Sequence, residues 1–168
     1  HGVVVPGGFG QRGIEGIIST VVHCREHNIP VLGICLGMQA MCIASARKIR
    51  GPLCNSQEFV DDPNGHNVVV SIEELDKTKI GGTMKLGSKS THISDKQTHA
   101  FAMYKKHVIN ERHRHRFEIN PLFKSVLEED GLCISGTDET KMCIDIIEDK
   151  QLKCFIGCQY HPEYKNTL

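Results

Sequence analysis

The chain has no tryptophan, and its aromatic side chains amount to six phenylalanines and three tyrosines. So sparse a set argues against a surface that stacks nucleic-acid bases. Charge of either sign is in no excess, with twenty lysines and arginines against twenty aspartates and glutamates. No net field draws the chain to nucleic acid or to an anionic membrane. No apolar run is long enough to span a bilayer, and there is no signal-peptide pattern. Of the eight cysteines, no two form a CxxC pair, which argues against a zinc ribbon or a thioredoxin-type site. Unpaired thiols in a mixed α/β chain point to a reducing cytosol, with a secreted disulfide framework as the alternative. The 168 residues suffice for one domain with a sizeable core. Both ends are abrupt, so residues 1–168 read as one domain of a longer polypeptide, incomplete at each end.

What is present is a strand–helix alternation. Val3-Val4-Val5 is β-branched and continuous, as a strand buried on both faces should be. Pro6-Gly7-Gly8-Phe9-Gly10 follows, a glycine-rich loop without the spacing of a phosphate loop. Ile14, Ile17, Ile18, Val21 and Val22 recur at helical spacing, and Asn28 and Pro30 close that helix. A second strand runs into Cys35, and a second helix covers about 36–48. This alternation predicts an α/β fold with parallel strands and right-handed crossovers, its site at their carboxyl ends. Further on, the pattern predicts a strand over 67–72 and a polar, partly mobile stretch over 88–100. A helix over 121–129 follows, started by Pro121 and capped by Asn120, then strands near 132–135, 142–147 and 154–159. Gly81-Gly82-Thr83-Met84-Lys85-Leu86-Gly87 reads as a glycine-bounded hairpin arm.

The most informative stretch is Val31-Leu32-Gly33-Ile34-Cys35-Leu36-Gly37-Met38-Gln39. A buried strand, a sharp turn and a helix place Cys35 at the apex, the thiol counterpart of a nucleophile elbow. Gly33 and Gly37 leave room for close backbone approach. The helix N-terminus favours thiolate over thiol, and its unpartnered amides are suited to holding an oxyanion. The bland alternative is a small core cysteine. The last strand runs into His161-Pro162-Glu163. In an extended segment positions i and i+2 point the same way, so Glu163 can fix the tautomer of His161. A surface turn is the competing reading. In Glu111-Arg112-His113-Arg114-His115-Arg116-Phe117-Glu118, alternation puts the arginines on one face and the histidines on the other. A solvated charged edge, a carboxylate clamp and a two-histidine metal site are all open for this block. Glu58 could offer the opposite charge to an ammonium group.

Taken together, these motifs resemble the class I (triad) glutamine amidotransferases. Pro6–Gly13, Asn55-Ser56-Gln57-Glu58-Phe59, Gly81–Gly87 and Glu111–Glu118 narrow the resemblance to the amidotransferase domains of CTP synthases. The resemblance implies a three-layer, flavodoxin-like sandwich with a mostly parallel central sheet. It implies Cys35 as nucleophile on the side-chain amide of L-glutamine, His161 as general base and then acid, and Glu163 as its orienting carboxylate. Glutamine would lie against Gly8, Leu36, Gly37, Met38, Gln39, Glu58 and Arg116, with amides near Gly8 and Leu36 holding the oxyanion. No cofactor or metal is expected in this domain. A covalently linked synthase domain would use ATP, Mg and UTP, with GTP as activator through the loop Phe9–Gly16, in a homotetramer of the cytoplasm without nucleic-acid or membrane partners. Gly51-Pro52-Leu53-Cys54 and Tyr164 depart from the family's usual residues. The amidotransferase of a GMP or carbamoyl-phosphate synthetase, and an inactive regulatory or assembly module of the same fold, are the alternative readings.

Overall fold

The computed structural model describes residues 1–60, 62, 64–72 and 84–165. Its first four elements alternate as the apolar spacing requires: β1 (Val3–Val5), α1 (Ile14–Glu26), β2 (Val31–Ile34) and α2 (Leu36–Arg50). Helix α1 buries Ile14, Ile18, Val21 and Cys24, one stripe at helical spacing. It ends where Asn28 turns to φ 51°, just before Pro30. Helix α2 is buried from Leu36 to Ile43 and again at Ser45 and Ala46, so it runs through the interior rather than over the surface.

The chain continues through β3 (Asn55–Ser56), β4 (Asn67–Ser71), β5 (Lys85–Ile93), α3 (His99–Tyr104), β6 (Val108–His115) and β7 (Phe117–Ile119). A 3-10 turn at Pro121–Phe123 leads into α4 (Lys124–Glu129), and β8 (Cys133–Thr137), β9 (Ile144–Glu148) and β10 (Phe155–Cys158) complete it. As the sequence suggests, the Asn120 side chain caps that turn by accepting from the Leu122 amide.

Seven strands form one sheet in the order β1-β2-β10-β9-β8-β5-β6. The parallel pairing expected from the early alternation holds for β1 with β2 and for β2 with β10. The remaining neighbours pair antiparallel. The sheet is therefore mixed, with its parallel part confined to the strands around the elbow. The physical reason is in the connections: β8 and β9 are joined by a short turn, and only antiparallel strands can be joined that way. A second sheet, β3-β4-β7, lies apart.

Alternation along β2 and β10 sorts their side chains to two faces. Val31 and Phe155 join the large core with α1, α2 and α4. Ile34, Ile156 and Cys158 join a second core with Ala100 of α3, Ile109 and Tyr160. Helices on both faces of a sheet make the three-layer sandwich. On the first face the buried carboxylate of Asp130 accepts from Ser45 Oγ at 2.7 Å and pairs with Lys48 Nζ at 2.7 Å and with Arg25, tying together α1, α2 and the end of α4.

The expectation of a polar, partly mobile stretch over 88–100 needs correction. Residues 88–93 are not a mobile polar stretch: they are most of β5, paired with β6 from Lys85↔His115 to His92↔Val108. His99–Tyr104 is a helix, capped by the Thr98 hydroxyl accepting from the Phe101 amide at 3.1 Å. Polar residues with little hydrophobic alternation hid a strand whose order comes from its cross-strand ladder. Residues 81–83 of the proposed hairpin arm lie outside the described residues.

Candidate active site

Cys35 sits between β2 and α2 with φ 51° and ψ −102°, a conformation that a side-chain-bearing residue adopts only at a cost. Its backbone N–H donates to the Cys158 carbonyl at 2.7 Å, which pins the turn to β10. The elbow glycines are needed for space. A Cβ on Gly37 would stand 2.4 Å from the Val5 carbonyl oxygen, and one on Gly33 2.6 Å from Met41 Sδ. The close backbone approach read from the two glycines is thus present, and at Gly37 it is made against β1.

The end of β10 supplies the base. His161 Nδ1 lies 2.7 Å from Glu163 Oε1, so Nδ1–H donates to the carboxylate and Nε2 is left as the basic nitrogen. Nε2 is buried and has no hydrogen-bond partner among the described residues. Tyr164 stacks on the other side of the imidazole, with ring centroids 4.5 Å apart and planes 4° from parallel. The His161 backbone N–H donates to the Arg112 carbonyl of β6 at 2.8 Å.

Gly7 joins the two halves. A Cβ built there would stand 2.7 Å from His161 Cε1 and 3.5 Å from Cys35 Cβ. The glycine loop therefore lies beside both Cys35 and His161, with each in contact distance of one backbone position. Next to it, a Cβ on Gly8 would meet Leu36 Cδ2 at 3.0 Å, bringing this loop against the opening turn of α2. A cleft of about 290 Å³ is lined by Pro6, Gly7, Gly8, Phe9, Cys35, Arg114, His161, Glu163 and Tyr164.

The electrostatics correct one expectation. Burial pushes the Cys35 thiol up to about 12, opposed by the Leu36 backbone N–H and the Gln159 amide and reinforced by Glu58 and Glu163. Desolvation outweighs the helix N-terminus, because a thiolate without a cation loses more hydration than one turn of dipoles returns. The resting sulfur is a thiol, and it needs a base beside it to become a nucleophile.

The other expected site residues divide. Glu58 Oε1 accepts from the Gly10 amide at 2.8 Å, which puts it on the glycine loop despite the unusual residues before Asn55. Gln39 is buried, and its Nε2 donates to the Phe117 carbonyl at 3.1 Å and to Gln159 Oε1 at 3.3 Å. Met38 is fully buried against Gly157, so its side chain serves the core. Arg116 is exposed at the bend between β6 and β7, its carbonyl accepting from the Ile72 amide at 3.0 Å. Within the arginine row, Arg114 is the one that lines the cleft. Sequence reasoning passed over Arg114 as one of three alike and over Gln159 altogether, and it marked Tyr164 only as a departure from the family's usual residue. The signal for Gln159 and Tyr164 was their closeness to His161 at the end of an apolar strand.

Strand β6 alternates exposed and buried as read: Arg112 and Arg114 face outward, Glu111, His113 and His115 inward. His113 Nδ1 lies 2.9 Å from His115 Nε2, and His115 Nδ1 lies 3.0 Å from the Phe117 carbonyl oxygen. Among the described residues no group of three or more His, Cys, Asp and Glu is arranged to hold a metal ion.

Comparison with known proteins agrees with this geometry. The family model for glutamine amidotransferase class-I matches residues 1–168. A CTP synthase of Dictyostelium discoideum is 43% identical over 171 residues, covering 99% of this chain and 30% of that protein. One of Chlorobium phaeobacteroides is 47% identical over 169 residues, with coverage of 99% and 30%. The chain thus spans about a third of the length of these curated relatives. Among solved structures, the glutaminase domain of Trypanosoma brucei CTPS with bound acivicin superposes with a TM-score of 0.89 at 38% identity, covering 99% of this chain and 64% of that one. A glutamine amidotransferase from Thermotoga maritima shares the fold at a TM-score of 0.56 and 15% identity, with coverage of 94% and 55%. A cysteine on a strained strand-to-helix turn lines one cleft with a carboxylate-held imidazole, and with the family model matching residues 1–168 the chain belongs to the class I glutamine amidotransferases.

Proposed function

We propose that this chain hydrolyses L-glutamine through Cys35 and, within a longer CTP synthase, supplies the ammonia that aminates UTP. The observation that supports it most is Gly7 lying in contact distance of both Cys35 and His161, with Glu163 holding the imidazole. His161 Nε2 takes the thiol proton as Cys35 Sγ attacks the carboxamide carbon. The oxyanion forms near the backbone amides of Gly8 and Leu36, the second already directed at the sulfur. The tetrahedral adduct collapses to a γ-glutamyl thioester, and the proton held by His161 leaves with the amine as ammonia. Water, deprotonated by the same imidazole, then attacks the thioester to give glutamate and the free thiol.

For the substrate's other end, Glu58 is the carboxylate for its ammonium group, and Arg116 the partner for its carboxylate. Gln39 and the backbone of Leu36, Gly37 and Met38 complete that wall. In the longer protein the synthase portion holds ATP, Mg and UTP, GTP activates the glutamine step, and the assembly is a cytoplasmic homotetramer. No helix of the described residues is long and apolar enough to cross a membrane.

The test is labelling of the full-length protein with a glutamine-analogue electrophile, followed by peptide mass spectrometry. Selective modification of Cys35, blocked by L-glutamine, is expected. Equal labelling of all eight cysteines, or labelling that glutamine does not slow, would count against the reading.

A further inference from the structure

Gln159 ends β10 beside the catalytic pair, and only 1% of it is exposed. A buried primary amide needs partners for two N–H groups and an oxygen. Its Nε2 lies 3.6 Å from Cys35 Sγ, within N–H···S range, and its Oε1 lies 3.3 Å from Gln39 Nε2. Its backbone N–H donates to the Asp145 carbonyl at 2.9 Å, so the main chain that carries it is fixed to β9.

The orientation of this amide follows from its neighbours. The Phe117 carbonyl can only accept, so the group of Gln39 that meets it at 3.1 Å is the NH₂. The same NH₂ faces Gln159, which must therefore present its oxygen there. That leaves the NH₂ of Gln159 toward the sulfur. One carbonyl thus sets the direction of two side chains, and the chain of donors ends on the nucleophile.

We propose that Gln159 is a positioning residue for Cys35: its amide, held in one orientation by Gln39, aims an N–H at the sulfur and favours the anion as the proton leaves. The proposal rests on the reading of Cys35 as the nucleophile. An amide suits the task because it carries no charge and does not ionise near neutral pH. It strengthens the thiolate without competing with His161 for the proton. A hydrogen bond to an ionised acceptor is also stronger than one to the neutral thiol, so the contact helps most when charge develops. The groups around the sulfur leave a need for such a donor. Glu58 and Glu163 oppose a negative charge there, Cys158 lies beside it in the same apolar cluster, and the Leu36 amide is the other donor directed at it.

The experiment uses the full-length enzyme with Gln159→Met, which keeps the volume and removes the donor. Alkylation of Cys35 by iodoacetamide without glutamine is followed against pH by peptide mass spectrometry, alongside glutaminase kcat and KM and thermal unfolding. On its rising limb between about pH 7 and pH 10, below the titration of the thiol, the alkylation profile is expected to move up by about 1 pH unit, a rate about tenfold lower at each pH, and kcat to fall about tenfold with KM little changed. Gln39→Met, which frees Gln159 to flip, is expected to move the alkylation profile the same way by less. The double variant should be no worse than Gln159→Met alone, because both act through one contact. A wild-type alkylation profile in Gln159→Met overturns the proposal, even if the protein melts at a lower temperature, since that is what a purely structural residue does. If Gln159→Met does not fold, the Gln39→Met profile decides: a shift supports the proposal and no shift overturns it. A shifted profile in an enzyme whose parent releases no ammonia from glutamine would keep the positioning role and reject the glutaminase reading.

Discussion

Around β1, β2 and β10 the buried groups that titrate are few and face a cleft. Around β9, β5 and β6 they are many and face one another. Lys85 Nζ lies 3.0 Å from Glu118 Oε1 and 3.7 Å from Asp145 Oδ1, and Thr91 Oγ1 donates to Asp145 Oδ2 at 2.8 Å. Burial pulls the Lys85 ammonium down, but Asp145 and Glu118 outweigh it and hold it above its ordinary value. One ammonium serves two carboxylates, and burial leaves Asp145 pushed up to about 6. Burial likewise holds His113 neutral, down to about 3, with Lys85 and His161 adding repulsion. By perturbed groups alone, this antiparallel half would look like the active site. Most of its members pair with one another, and although His113 Nε2 there also lacks a hydrogen-bond partner among the described residues, no cysteine lines its cleft; His161 Nε2, likewise without one, belongs to the cleft that Cys35 lines. Perturbed ionisation marks buried charge; a reactive centre also needs an unspent lone pair and room for a substrate.

The comparison predicts that damage to the two halves separates into lost chemistry and lost stability. Cys35→Ala should abolish glutamine-dependent CTP formation in the full-length enzyme and leave ammonia-dependent formation intact. His161→Ala should cost about 10²-fold or more in glutaminase kcat. Loss of both activities in Cys35→Ala would make that half structural too. Lys85→Met should do the reverse. Leaving two buried carboxylates unpaired is expected to lower unfolding stability by about 3 kcal/mol, read by urea titration, while Cys35 alkylation stays unchanged.

The pH dependence of stability sharpens the same contrast. His113 and His115 are held neutral when folded but bind protons below about 6.5 when unfolded, so each loses stability as pH falls. Asp145, protonated more readily when folded, opposes them as pH falls through about 6. Two histidines against one aspartate leave a net loss of stability as pH falls from about 6 to about 4. Replacing His113 with glutamine should flatten that slope, whereas Glu163→Gln in the cleft should not. At the small end, Lys150→Ala removes a 3.5 Å pair with Asp95 in which both side chains are well exposed. It should change stability by less than about 0.5 kcal/mol. A larger effect would mean that the antiparallel half relies on its surface charges as well.

The helix stripe of α1, the elbow glycines, the Asn120 cap and the alternation of β6 were legible because each is written in local spacing. Residue pairs two, three or four apart decide them, and no distant segment has to agree. Cys35 and His161 were legible for a related reason: each follows an apolar strand, and strand ends share an edge; Glu163 meets His161 from the 3-10 turn Pro162–Lys165 rather than from the extended segment expected. β5 was not legible because its polar residues gain order from β6 rather than from their own periodicity, and α3 because its six residues are too few to show a helical period and take their start from the Thr98 cap.

The sequence alone determined which side chains could do chemistry and how each sits on its own element, since φ, ψ and period depend on near neighbours. The tertiary structure decided which of them meet. It brought Gly7 against both Cys35 and His161, turned β6 so that Arg114 reaches the cleft, and closed Gln39, Gln159 and Cys35 into one line of hydrogen bonds. It also decided that the resting sulfur is a thiol. That outcome depends on how much water the surrounding chain excludes, and no local spacing encodes such a sum over distant contacts.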